Sequence, residues 1–157
     1  MRDAYLNRRS ALLLATAAVL SPLSGAMAVT PESITVHKDP NCGCCTGWVR
    51  HLEKSGFTTR VIETSQLDTV KKRLGVPDDL ASCHTAEVAD YIIEGHVPAA
   101  AIKRLLAEKP KARGLAVPGM PIGSPGMEGG VPEFYEVVLF GPQGQKPYMR
   151  FKGDQQA

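Results

Sequence analysis

The sequence predicts an α/β layer fold, a mixed sheet with helices packed on it that begins largely parallel and ends in a C-terminal β-hairpin. Three observations carry this. Short β-branched runs alternate with helical periodicity up to about residue 117, and turn chemistry marks each switch. Beyond it, two further strand-like runs flank Gly141-Pro142-Gln143-Gly144. Alternation of this kind lets each helix bury its apolar stripe against a sheet.

Ser33 to His37 alternates and reads as the first strand. Asp39-Pro40-Asn41 is turn chemistry, with Asn41 as the expected helix N-cap. A helix follows from Cys44 to Lys54 and stops at Gly56, with Trp48 and Leu52 on one face. Thr58 to Thr64 is β-branched and reads as the second strand. Leu67, Val70 and Leu74 mark a short amphipathic helix stopped by Gly75 and Pro77. Asp78 to Thr85 reads as a loop that holds Cys83-His84, and Val88 to Glu94 as the third strand. Pro98 opens a third helix that presents Ile102, Leu105 and Leu106 and ends before Pro110. Leu115 to Val117 is a short strand candidate. Residues 118–132 form a Gly/Pro-rich loop without period, and Phe134 to Phe140 with Pro147 to Phe151 form the hairpin.

The N-terminus reads as an export signal. Arg8 and Arg9 give a positive start, Ala11 to Leu20 carries no charge, and Ala26-Met27-Ala28 is an A-x-A cleavage site. The apolar run is shorter than the roughly 20 residues a bilayer span needs. The expected organisation is therefore a signal peptide at 1–28, removed on export to the periplasm by the general or the twin-arginine route, and one domain at 29–157. The chain of 157 residues carries a net charge of +2, and loses it with Arg2, Arg8, Arg9 and Asp3. A neutral domain has no nucleic-acid footprint. It has no further apolar stretch for a membrane.

All four cysteines lie in the expected mature domain: Cys42, Cys44, Cys45 and Cys83. In an exported protein four cysteines ordinarily mean two disulfides. Here three fall within four residues. Cys44 and Cys45 cannot both pair locally with Cys42, so a stapling framework fits poorly. The cluster sits where the first strand hands over to the first helix. Helix N-termini present unpaired N–H groups and a partial positive charge, which favour thiolates. Clustered thiolates suit soft ions, Cu(I) first and Zn(II) after it. Cys83 can supply a fourth sulfur, and bridging sulfurs can hold more than one copper. A structural zinc site fits less well, because such sites use two separated ligand pairs. An enzymatic alternative stays open: Cys42 and Cys45 have C-x-x-C spacing, which suits dithiol exchange or copper redox chemistry.

Other residues carry weaker signals. His84 is a candidate ligand beside Cys83, set against the ordinary reading of a solvated loop histidine. Met120 and Met127 offer soft thioethers on a long loop, or simply fill gaps beneath it. His37 is expected to pack near the site, His51 to be exposed and His96 to occupy a turn. Trp48 is expected to be a core or shielding aromatic.

Taken together, Asp39-Pro40-Asn41-Cys42-Gly43-Cys44-Cys45 with Trp48, Leu80 to Thr85, and Glu94-Gly95-His96-Val97-Pro98 resemble the CopG-like family. Gly114 to Pro121 and Gly123 to Glu128 extend the resemblance, which spans about Ile34 to Lys152. These are small exported proteins associated with bacterial copper resistance. The resemblance implies a thioredoxin-like fold and a copper site at Cys42, Cys44, Cys45 and Cys83, with His84, Met120 and Met127 in the same pattern. It implies copper ions as the cargo and other periplasmic copper-handling proteins as partners. It leaves open whether copper is stored, passed on or cycled between oxidation states.

Overall fold

The computed structural model describes residues 32–157, so the expected export signal lies outside the described residues. The elements are β1 (Ser33–Lys38), α1 (Gly43–Lys54), β2 (Thr58–Glu63), α2 (Leu67–Leu74), β3 (His84–Val88), β4 (Tyr91–Gly95), α3 (Ala99–Glu108), β5 (Gly114–Val117), β6 (Phe134–Gly141), β7 (Gly144–Lys152) and β8 (Gln155–Gln156). A 3₁₀ turn at Asp78–Leu80 precedes β3.

Among the described residues, eight strands form one mixed sheet in the order β2-β1-β3-β4-β5-β6-β7-β8. β1 and β2 run parallel, as a crossover through α1 requires. β3 then pairs antiparallel with both β1 and β4. α3 returns the chain so that β5 lies parallel to β4. β6 and β7 pair antiparallel, with an irregularity between Val137 and Val138.

Strand alternation sends neighbouring residues to opposite faces. Ile93, Leu115 and Val117 join Ile34, Val36, Trp48, Leu52, Ile102 and Leu105 in the main core, under α1 and α3. Ile92 and Ala116 point the other way and pack with Leu74, Leu80 and Phe140, on the α2 side. Gly56, with φ +92°, and Gly75, with φ +72°, end α1 and α2 in the left-handed region where glycine carries no penalty.

Three sequence expectations change. The single strand over Val88 to Glu94 is two strands, β3 and β4, turned by Ala89 at φ +48°. His84 therefore belongs to a strand and not to a surface loop. The N-cap of α1 is Cys42, whose sulfur accepts from the Cys45 N–H at 3.3 Å. Asn41 instead donates its N–H to Asp39 Oδ1 at 2.8 Å, so its own turn occupies it. Among the described residues, no helix is long and apolar enough to cross a membrane.

Candidate metal and thiol site

The three clustered cysteines occupy the first turn of α1 and the residue before it. Cys42 and Cys45 are joined by a disulfide. This departs from the expectation of four available sulfurs, and the bridged pair is the C-x-x-C of the enzymatic alternative. Helical geometry explains it: a cap residue and the residue three further on lie on one side of the first turn. So short a closed loop restrains the unfolded chain much less than a long cross-link does. Cys44 and Cys83 carry unbridged, half-buried sulfurs. Cys44 Sγ lies 3.5 Å from Cys42 Sγ and 3.9 Å from Cys83 Sγ. The four sulfurs all fall within 4.8 Å of one another.

Cys83 arrives from the strand next to β1, in the residue before β3. A buried ionic cluster holds it there. Glu94, fully buried on β4, accepts from the Ser82 N–H at 2.5 Å and from the Thr85 hydroxyl at 2.6 Å. Lys71 of α2 reaches in to donate to Glu94 at 2.5 Å and to Thr85 at 2.6 Å. The peptide before Cys83 and the residue two after it are thus both fixed. Burial, and then the neighbouring Cys44, push the Cys83 thiol up to about 11. The helix N-terminus that favours thiolates lies under Cys42, Cys44 and Cys45, and Cys83 is not on a helix. A bound cation reverses that balance, because a coordinating thiol loses its proton.

Two imidazoles complete the site. His84 and His96 are fully buried. His84 Nδ1 lies 3.4 Å from Cys83 Sγ, and its Nε2 has no hydrogen-bond partner. His96 Nε2 lies 3.2 Å from the same sulfur. Burial lowers the pKa of both rings, which favours the neutral form that ligates metal. The Trp48 ring stands 4.4 Å from the His84 ring, and its Nε1–H donates to the Val97 carbonyl at 2.8 Å. The sequence placed His96 in a turn and did not connect it to the cysteines. The connection is made by Gly95 at φ +72°, which ends β4 and re-aims the next residue. A side chain at Gly95 would meet the Val117 carbonyl at 2.6 Å.

The loop after β5 is seated on the site by glycine contact. A Cβ on Gly126, at φ +90°, would lie 2.5 Å from the Cys44 carbonyl and 2.7 Å from the Trp48 nitrogen. Close approach there brings Met127 onto the wall of an open pocket of about 440 Å³ that also includes Cys44, Gly43 and Glu128. Met120 is not on that wall and is 42% exposed. Of the two loop methionines, the structure brings only Met127 to the pocket beside Cys44. Gly126→Ala is expected to cost about 1 to 3 kcal/mol through overpacking and backbone strain. It should also speed amide exchange across residues 118–132. Unchanged exchange there would mean that the glycine contact does not seat the loop.

The remaining histidines are structural. His37 Nε2 bonds Glu87 at 2.9 Å, in keeping with a packing role. His51, expected to be exposed, is half-buried and accepts the Ala99 N–H at 3.0 Å, where α3 begins. Burial lowers its pKa below the ordinary 6.5. A protonated imidazole at that nitrogen cannot accept, so the contribution is complete above pH 6.5 and declines as pH falls through it. The stability advantage of the wild type over His51→Ala, read from urea midpoints, should therefore shrink on acidification below that value. An advantage independent of pH would count against this cap.

A family described as "Protein of unknown function, DUF411" matches residues 80–127. No curated protein matches the chain. Two solved structures do. "Copper resistance protein copG- Form 2" is 44% identical with a TM-score of 0.74, covering 78% of this chain and 99% of that one. "Copper resistance protein copG- Form 1" is 44% identical with a TM-score of 0.73, covering 79% of this chain and 100% of that one. Identity at this level over almost the whole of those chains, with the cysteine cluster in place, shows that this chain belongs to the CopG-like family of copper resistance proteins.

Proposed function

We propose that this protein binds copper as Cu(I) through Cys42, Cys44, Cys45 and Cys83 in their reduced form, in the periplasm, after loss of residues 1–28. The observation that carries the reading is the meeting of four sulfurs from two separate elements within 4.8 Å. Thiolates at that density match a soft monovalent ion and can bridge several of them. The two solved structures 44% identical to this chain are both of a copper resistance protein. His84 stands behind Cys83, and the thioethers of Met120 and Met127 offer arriving Cu(I) neutral ligands that survive an oxidising compartment. Copper ions are the cargo, and other periplasmic copper-handling proteins are the natural donors and acceptors. The scaffold we propose is thioredoxin-like: β1 and β2 parallel, β3 antiparallel to both β1 and β4, α3 after β4, and the cysteines at the start of α1.

The reduced protein, loaded anaerobically with Cu(I) against a competing chelator, should retain one or more coppers per chain. Cys83→Ser should weaken retention at least tenfold, since it removes the sulfur that closes the cluster. Equal retention in the variant would remove Cys83 from the site.

A second reading has its own support, the Cys42–Cys45 disulfide. In that reading the bridge accepts two electrons from a dithiol, opening to two thiols as the donor closes to a disulfide. A reversible two-electron couple, lost in Cys42→Ser, is its expected signature. Lack of any exchange with a model dithiol would reject it.

A further inference from the structure

The disulfide and the two imidazoles have a joint consequence. With Cys42 and Cys45 bridged, two of the four sulfurs are withdrawn from any metal. The donors that remain are Cys44, Cys83, His84 and His96. Cys83, His84 and His96 form a group of their own, with donor atoms within 4.8 Å of one another. We propose that Cys83, His84 and His96 form a second, mixed sulfur–imidazole copper site that holds one ion while the Cys42–Cys45 disulfide is closed. It rests on the copper-binding reading above and shares Cys83 with the thiolate cluster.

Geometry supports it first. Ligands at about 2.0 to 2.3 Å from one tetrahedral metal stand roughly 3.5 Å apart. Cys83 Sγ lies 3.2 Å from His96 Nε2 and 3.4 Å from His84 Nδ1. The site needs only small adjustments to admit an ion.

The tautomer of His96 supports it next. Its Nδ1 lies 2.8 Å from the Pro125 carbonyl, which can only accept. The Nδ1–H is therefore committed to that bond, and the Nε2 lone pair faces the sulfur. A ligating histidine whose other ring N–H is held by a backbone carbonyl is the usual arrangement around metals. Pro125 belongs to the loop that Gly126 seats on α1. The same contact thus brings Met127 to the pocket and orients His96.

His84 adds the third argument. It is fully buried, its Nε2 has no hydrogen-bond partner, and its Nδ1 lies 3.4 Å from Cys83 Sγ. A buried polar group left so poorly satisfied weakens the fold. Trp48 covers the ring, and His96 packs edge-on to it at 4.9 Å. Nothing in the core explains an imidazole there, whereas a metal ligand does. The open side carries Cys44, 3.9 Å from Cys83, so an ion can pass between the two sulfurs without leaving the protein.

The test uses the full chain with C42S and C45S together, which cannot bridge and cannot build the four-sulfur cluster. Loaded anaerobically with Cu(I), it should hold one copper per chain, with nitrogen scatterers at imidazole distance beside sulfur in X-ray absorption. H96Q added to that pair should weaken retention at least tenfold. The wild-type disulfide form should show the same mixed spectrum. If the double variant holds no copper while the reduced wild type does, the second site is rejected and the thiolate reading stands. Copper ligated by sulfur alone, or retention indifferent to H96Q, rejects it as well. The spectrum of the double variant decides the matter even if H96Q fails to fold.

Discussion

Lys71→Met is expected to destabilise the domain by about 3 to 5 kcal/mol, the usual result of removing one partner from a buried ion pair. Lys71 and Glu94 meet at 2.5 Å with side chains 8% and 0% exposed. Methionine keeps the volume and leaves the Glu94 charge buried with no counter-ion. The loss exceeds one contact, because Glu94 also holds the peptide before Cys83 and the Thr85 hydroxyl. Denaturation by urea, followed by circular dichroism, measures it. The companion Glu94→Gln strands Lys71 instead and should fall in the same range. With both changes made, no uncompensated charge remains, and the double variant should be more stable than the sum of the single losses predicts. Strict additivity would mean that the two groups do not act as a pair. The functional readout is separate. In Glu94→Gln the amide oxygen can still accept from Ser82, so copper retention should survive better there than in Glu94→Leu.

How far the sequence revealed this arrangement depends on the scale of the signal. Strand alternation over Ser33 to His37, the Trp48–Leu52 spacing and the glycines after α1 and α2 are local patterns, and each placed its element within a residue or two. The cysteine cluster was legible for the same reason, since its sulfurs are neighbours in the chain. What escaped was non-local. His84 to Val88 has only one strongly β-forming residue at each end of Thr85-Ala86-Glu87-Val88, so β3 was not separated from β4. Its strand character comes from pairing with β1 and β4. His96 reads as a turn residue because Gly95 precedes it. Only in the folded chain does that left-handed glycine aim the imidazole at a sulfur thirteen residues earlier. Lys71 lies in a basic run with Lys72 and Arg73, where nothing local marks it as the one that turns inward. The C-terminal tail carried no signal, yet Gln155 and Gln156 pair with β7. The bridge between Cys42 and Cys45 is legible in their C-x-x-C spacing, which keeps the enzymatic alternative open even though a framework of two stapling disulfides fits the cluster poorly.

Trp48→Ala should cost about 3 to 5 kcal/mol, the range for deleting a buried aromatic, and should act on the metal site as well as on the core. Trp48 is fully buried among Val36, Leu52 and Val97. It spans from the core to the His84 ring, while its Nε1–H fixes the Val97 carbonyl directly after His96. Truncation therefore opens a cavity, leaves a buried carbonyl unpaired and uncovers an imidazole. Trp48→Phe separates these effects. It keeps an aromatic against His84 but cannot donate to Val97, and an unsatisfied buried acceptor alone costs about 1 to 3 kcal/mol. The alanine variant should thus be the less stable of the two. Trp48 is the only tryptophan in the chain, so unfolding has to be followed by circular dichroism and not by indole emission. A loss under about 1 kcal/mol for alanine would show that the site collapses around the missing ring. Equal losses for alanine and phenylalanine would assign the whole effect to the Val97 hydrogen bond. In either variant a released Val97 allows His96 to drift from Cys83. Copper retention should then fall in the C42S and C45S background before it falls in the reduced wild-type background, where the proposed four-sulfur cluster does not depend on either imidazole.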